Sequence, residues 1–354
     1  MADFGLVSDD LIQALAEQAD AADHDASWPQ PAWELLCRNG VPEWVIPTAY
    51  GGRELDLPKV LVGYERLAGA CLTTTFILSQ RDAAVRRIRD SSRDDLCREL
   101  LRPLACGGRF ATVGISQLTT SRQHGGPALR ARETGDRFLL DGTMPWVTGA
   151  DQADHLVAGA TLDDGQQILL AVPAETAGLS VGPPLELMAL AGSRTAEVKC
   201  DGVAVERRWL LAGPTKQVMQ SSRGGTGGLE TSCLALGLAG AAVNYLAAEA
   251  ERRPEWADVA ARLQATRENA RTDMLRLAAY GGKPEEMVAL RAIANALVLR
   301  ATQAALTAAK GVGFVRPHPA QRWARQALFF LVWSCPRPAA EATVGYLLGE
   351  CDAG

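Results

Sequence analysis

Apolar residues recur at helical spacing through residues 1–108, as in Leu11, Ile12, Ala14 and Leu15, and again from Val60, Leu61 and Val62 to Leu67 and Ala68. A three-to-four-residue recurrence gathers side chains on one face of a helix, so this region reads as helical. Between 109 and 212 the texture changes. Short alternating runs appear at 138–140, 155–158 and 168–172. Turn signals separate them: Gly135-Asp136, Asp141-Gly142, Asp163-Asp164-Gly165 and Asp201-Gly202. A period of two between turns predicts strands, hence a small all-β domain. From 213 to 354 the helical pattern returns in Ala-rich stretches at 233–251, 257–279, 284–310 and 319–333. Pro254 and the Gly281-Gly282 pair divide them, because proline lacks the amide hydrogen and glycine favours helix ends. Four such stretches with short connections predict a four-helix bundle. The expected class is therefore α+β, with a helical domain (1–108), a middle β domain (109–212) and a C-terminal helical bundle (213–354).

A chain of 354 residues is long enough for two or three domains and a large core. Its net charge of −5, with no basic cluster, argues against nucleic acid as a partner. The longest tight apolar run, 328–333, falls short of a membrane span, so no membrane partner is expected. The acidic start after Met1 does not read as a secretory signal. Eight cysteines without a Cys-x-x-Cys pair suit reduced thiols in a cytoplasmic protein. Four scattered histidines give no metal-ligand spacing, and no metal is expected. No Gly-x-Gly-x-x-Gly follows a strand, which removes support for a Rossmann-type dinucleotide fold.

The most informative stretch is 139–149, Leu-Leu-Asp-Gly-Thr-Met-Pro-Trp-Val-Thr-Gly. Its Asp141-Gly142 pair reads as a β-turn. Side chains two apart on a strand share a face. Trp146 and Thr148 could thus present an aromatic wall and a hydroxyl to one planar ligand, or Trp146 could simply fill a hairpin core. The stretch resembles the flavin-contacting strand of the acyl-CoA dehydrogenase family, Gly-x-Lys-x-Trp-Ile-Thr-Asn-Gly. Other segments resemble that family in the same order. They are Trp33 to Gly40 with Ile46 to Gly52, Tyr64-Glu65-Arg66-Leu67-Ala68, Gly192 to Thr195 with Val203 to Val205, and Lys310-Gly311-Val312-Gly313-Phe314 with Arg322 and Arg325.

The resemblance implies FAD as cofactor and oxidation of a saturated acyl thioester, carried by coenzyme A or a carrier protein, to its α,β-enoyl form. Electrons would pass to an electron-transfer flavoprotein or to oxygen. Assembly as a homodimer or homotetramer, or with a related subunit, is implied as well. Such chemistry needs a carboxylate base in a dry site and donors where the oxyanion develops. The family's usual base position, in a Tyr-Glu-Gly-Thr motif, falls here on Ser334, which has no carboxylate; its backbone N–H remains a candidate carbonyl polariser. Isovaleryl- and long-chain-type members place the base at the start of a bundle helix, and Glu230 falls there, with Thr231 in place of the usual arginine. A first-turn acid favoured by the helix dipole is the plainer reading of Glu230.

Ser116, Trp146 and Thr148 match flavin contacts. Thr307, Gly311 and Gly313 match the family's Gln…Gly-Gly cofactor segment, with Lys310 on the first glycine. Thr120, Ser121 and Arg122 stand in a segment altered from the family's Thr-Glu-Pro-x-Ala-Gly-Ser-Asp, and offer groups for substrate phosphate or pantetheine. The family's Arg-x-x-Phe-Gly loop, which reaches the FAD of a neighbouring subunit, is shortened here to Arg252-Arg253-Pro254-Glu255-Trp256. Two rivals follow from these departures: a flavin monooxygenase on the same fold, and a non-catalytic subunit paired with an active one.

Overall fold

A computed structural model describes residues 5–91, 93–119, 126–219 and 228–349. Five helices come first: α1 (Asp9–His24), α2 (Gln30–Arg38), α3 (Leu57–Ala70), α4 (Leu72–Arg89) and α5 (Asp94–Ala105). Their starts are chemically marked. Ser8 accepts the Leu11 amide at 3.2 Å ahead of α1, and Asp56 accepts that of Lys59 at 3.0 Å ahead of α3. Each satisfies an amide the helix itself cannot pair. Only Cys71 separates α3 from α4. Almost all of α4 is buried, polar residues included.

Eight strands follow: β1 (Ala111–Gly114), β2 (Leu129–Thr134), β3 (Arg137–Val147), β4 (His155–Leu162), β5 (Gln167–Pro173), β6 (Leu179–Pro184), β7 (Ala196–Glu206) and β8 (Leu210–Thr215). They form one sheet in the order β6-β7-β3-β2-β4-β5-β8, and β1 joins by pairing with β4. Pairing is antiparallel except for β1 and β2, which both run parallel to β4. The β2–β3 hairpin turns at Gly135-Asp136, as expected. Asp141-Gly142 is not a turn. It lies inside β3, where the register against β7 slips between Leu140 and Gly142. A β-carbon on Gly142 would stand 2.1 Å from the Ala128 carbonyl oxygen, so the glycine serves a bulge and a close backbone approach.

Helices resume with α6 (Leu229–Arg252), α7 (Ala257–Tyr280), α8 (Pro284–Ala309), α9 (Pro319–Phe329) and α10 (Arg337–Leu348). The bundle thus has five helices among the described residues rather than four. The fifth, α10, lies beyond the last expected stretch; Pro336 precedes it and Pro338 sits in its first turn, where proline is well accommodated. Two stretches, Leu229–Arg252 and Pro284–Phe314, have the length and apolarity of a membrane span, but 72% and 67% of their most apolar windows are buried inside the fold. They are the core helices of the bundle. Helices α3 and α6 touch through glycine: a β-carbon on Gly237 would fall 2.3 Å from the Glu65 carbonyl oxygen. The Cys233 thiol also donates to the Leu61 carbonyl at 3.0 Å. These contacts fix the first turn of α6 against the N-terminal layer.

Asp23, on α1 and wholly buried, knots the three regions together. It accepts from the Leu190 amide before β7 and from Gln326 on α9, both at 2.8 Å, and pairs with Arg325 at 2.8 Å. One turn earlier, Asp20 pairs with Arg316 at 2.7 Å. The hydrogen bond from Arg316 holds the Asp20 carboxyl below its ordinary range; burial opposes this, and the charges of Arg316, Arg322 and His24 add to it. A carboxyl whose pKa is depressed on folding contributes stability above its unfolded pKa and loses it as pH falls through the folded value. Asp20→Asn is therefore expected to flatten the loss of stability between about pH 5 and pH 2. Urea midpoints measured across that range would check it, and parallel curves for the two proteins would refute it.

Candidate active site

A cleft of about 540 Å³ opens where α4, the ends of β1 and β3, the start of α6 and the α9–α10 link converge. Helix α4 lines it with Phe76, Ser79, Gln80, Ala83, Arg86 and Arg87. The three-and-four spacing of these residues is one face of a helix.

One wall is rich in hydroxyls. β1 leads into Ser116, whose hydroxyl is buried without a hydrogen-bond partner among the described residues. Gln117 holds this turn by donating to the Gly114 and Gly159 carbonyls at 2.9 and 2.7 Å. Trp146, near the end of β3, leaves half its surface open, while Thr148 is buried. Both line the cleft. The hydroxyls of Thr148 and Thr195 lie 3.2 Å apart, and those of Thr195 and Ser193 lie 2.9 Å apart. Gly149 follows with φ +61° and turns the chain sharply; a β-carbon there would press Phe110 and Trp28 at 3.0 Å.

The opposite wall carries charge. Glu230, in the first turn of α6, pairs with Arg86 at 3.0 Å, their side chains 25% and 14% exposed. Behind Arg86 the Tyr64 hydroxyl donates to Asp82 at 2.5 Å, and Asp82 pairs with fully buried Arg81 at 2.6 Å. Arg81 is anchored in turn on the Pro42 and Leu104 carbonyls. Burial works against the Arg86 charge, but Glu230, Tyr64 and Asp82 outweigh it and hold the guanidinium above its ordinary value. Burial, then Asp82, pushes the Tyr64 hydroxyl well up. Burial and the neighbouring Arg86 charge lower Arg87 to about 10.

Aromatic rings close the remaining side. Phe329 and Trp333 stack at 5.2 Å and 10°, and Phe76 meets them edge-on at 5.0 and 4.9 Å. Ser334 follows with φ +45°, a left-handed conformation that costs a non-glycine residue of order 1–3 kcal/mol. Arg291 secures this link by donating to the Trp333 carbonyl at 2.8 Å, and Asn295 by donating to that of Phe330 at 3.1 Å.

Residues 7–108 match the family model described as Acyl-CoA dehydrogenase, N-terminal domain. Over 269 residues the chain is 26% identical to the probable acyl-CoA dehydrogenase YngJ of Bacillus subtilis (strain 168), covering 73% of this chain and 70% of that protein. Residues 7–108 thus match an acyl-CoA dehydrogenase N-terminal domain, and the chain as a whole is similar to acyl-CoA dehydrogenases. Its fold superposes on the structure of butyryl-CoA dehydrogenase from Megasphaera elsdenii with a TM-score of 0.83 at 19% identity, over 97% of this chain and 99% of that one. An acyl-CoA dehydrogenase complexed with FAD from Bacillus anthracis superposes with a TM-score of 0.77 at 17% identity, over 95% of this chain and 64% of that one. The acyl-CoA dehydrogenases are FAD-dependent oxidoreductases acting on CH–CH groups.

In this fold, Ser116, Trp146, Thr148, Glu230 and Ser334 all reach one cleft. Thr307, Gly311 and Gly313 do not. Thr307 is exposed on the last turn of α8 and donates to the Gln303 carbonyl. Gly311 is exposed, and Gly313 packs on Ala309 and Ala320 in the turn that follows. Thr120, Ser121 and Arg122 lie outside the described residues. Arg252 and Arg253 both pair with Glu249, and Arg253 also donates to the Ala308 carbonyl at 2.6 Å. Arg86, Thr195 and the Phe76–Phe329–Trp333 cluster were not singled out from sequence. The one signal for Arg86 is an Arg-Arg pair in a helix whose other residues are largely buried.

Proposed function

We propose that the protein oxidises an acyl thioester to its α,β-enoyl form with FAD, using Glu230 as base. The observation that carries this reading is a single cleft with a carboxylate on one side and the Ser116, Trp146 and Thr148 wall on the other. The donor set suits a flavin ring. Ser116 offers a buried, unpartnered hydroxyl, Thr148 and Thr195 offer two more, and Trp146 offers a flat face. Bound there, FAD supplies the two-electron acceptor for the hydride that leaves the β-carbon.

The chain's own groups do the rest. A Glu230 carboxylate oxygen takes the α-proton, so one proton and one hydride leave together and the Cα–Cβ single bond becomes double. The Ser334 N–H polarises the thioester carbonyl, and its strained backbone is what a positioned donor requires. The aromatic cluster keeps water from the reacting carbons. Thr120, Ser121 and Arg122 are assigned to the phosphates or pantetheine of a coenzyme A or carrier-protein arm. Thr307, Gly311 and Gly313, remote from this cleft, are assigned to the dinucleotide of a second copy in a cytoplasmic homodimer or homotetramer. Electron-transfer flavoprotein or oxygen would reoxidise the flavin.

The test is a visible spectrum of the purified protein, followed by anaerobic titration with a panel of acyl-CoA thioesters. A yellow protein bleached by a saturated thioester is expected. A yellow protein bleached only by a flavin reductase system would replace this reading with a monooxygenase. A protein that takes up no FAD would replace it with a non-catalytic subunit.

A further inference from the structure

Arg291, on α8 behind the cleft, is only 2% exposed, and no carboxylate pairs with it among the described residues. It donates to the Trp333 carbonyl at 2.8 Å, while its Nε and Nη1 are buried without partners among the described residues. Burial lowers its pKa and the neighbouring Cys335 opposes this, yet an arginine stays a cation at neutral pH. A buried guanidinium without a counter-ion is costly. Anchoring the α9–α10 link does not call for it. Asn295, one turn along α8, already holds the Phe330 carbonyl at 3.1 Å and reaches the Thr343 hydroxyl at 3.3 Å, with no charge involved.

The carbonyl that Arg291 holds is particular. The Trp333–Ser334 bond is not among the cis peptides, so the Trp333 C=O and the Ser334 N–H are opposite ends of one planar unit. Ser334 lines the cleft, and among the described residues no backbone acceptor takes its N–H. A cation on the oxygen end of a peptide draws electron density towards itself and makes the N–H at the other end a stronger donor.

We propose that Arg291 is a positioning residue that acts through the Trp333–Ser334 peptide, strengthening the Ser334 N–H as a donor to the thioester oxygen. Negative charge gathers on that oxygen as the α-proton leaves, and it supplies the counter-charge that Arg291 lacks at rest. The attraction grows towards the transition state, so it serves kcat more than KM. This inference deepens the dehydrogenase reading and rests on it.

The experiment uses the FAD-loaded protein and two probes. One is the saturated acyl-CoA that bleaches the flavin fastest. The other is its α,β-enoyl product, labelled with carbon-13 at the carbonyl, which stays bound without turnover. Infrared difference spectra should place the carbonyl stretch of the bound product below its value in water. Arg291→Gln keeps a hydrogen-bond donor without the charge. It should move the stretch back towards the value in water and slow flavin reduction roughly 10- to 100-fold, with binding nearly unchanged. Arg291→Lys should restore part of both. Asn295→Ala loosens the same link without touching the charge, and should lower stability while leaving the stretch in place. If Asn295→Ala moves the stretch as far as Arg291→Gln does, rigidity alone explains both and the proposal falls. A stretch unchanged in Arg291→Gln would overturn the role of Arg291 and leave the dehydrogenase reading intact. Flavin that no thioester reduces would overturn both. If Arg291→Gln fails to fold, Arg291→Met, which relieves the buried charge while filling the space, carries the same expectation.

Discussion

Glu230→Gln is expected to slow thioester-dependent flavin reduction by roughly 10²–10⁴-fold, the usual range for loss of a positioned general base. The amide keeps the size of the side chain and still offers an oxygen to Arg86, so the wall of the cleft should stand. What disappears is the oxygen able to accept the α-proton. FAD content per folded chain should match that of the wild-type protein, because the residues assigned to the ring lie across the cleft. Rapid-mixing measurements of flavin bleaching separate this step from later electron transfer. A variant that bleaches at near wild-type rate would remove Glu230 from the chemistry and leave it as a first-turn acid favoured by the helix dipole.

The second large effect lies behind the cleft. Asp82 and Arg81 are both fully buried, and Asp82 also accepts from Tyr64. Asp82→Ala removes the carboxylate and leaves the guanidinium in place with only the Pro42 and Leu104 carbonyls to face. Breaking one side of a buried pair costs about 3–5 kcal/mol, a large part of the stability of an ordinary domain. Urea unfolding should show a midpoint shift of that size. Asp82→Asn, which can still accept from Tyr64, should lose less. A shift below about 1 kcal/mol for the alanine variant would mean that water or a neighbour takes over the role of the carboxylate.

Much of the architecture is legible in the sequence because it depends on periodicity. A helical repeat in Leu11 to Leu15 and an alternating one in 155–158 need no knowledge of the partner surface. The bulge at Gly142 was not legible. Asp-Gly is equally suited to a hairpin, and only the approach of the Ala128 carbonyl from β2's side distinguishes the two. Helix α10 lies beyond 319–333, the last of the Ala-rich stretches from which helices were expected. In the cleft, Ser116, Trp146, Thr148, Glu230 and Ser334 could be proposed because each sits in a recognisable local segment. Arg86 could not. Its significance comes from a residue more than a hundred positions away, and an arginine in a helix carries no local sign that its head group is turned inward. The same holds for Thr195, which matters only because its hydroxyl meets that of Thr148.

The knot at Asp23 bears on how this chain could be rebuilt. A single carboxylate on α1 is spoken for by the loop before β7 and by two side chains of α9. The three regions are thus not interchangeable cartridges. A chimera that imports a foreign sheet, or ends before α9, leaves that carboxylate sealed in the interior with too few donors. Recombination is better placed at seams outside this junction, with α1, the Leu190 loop and α9 inherited together as one unit.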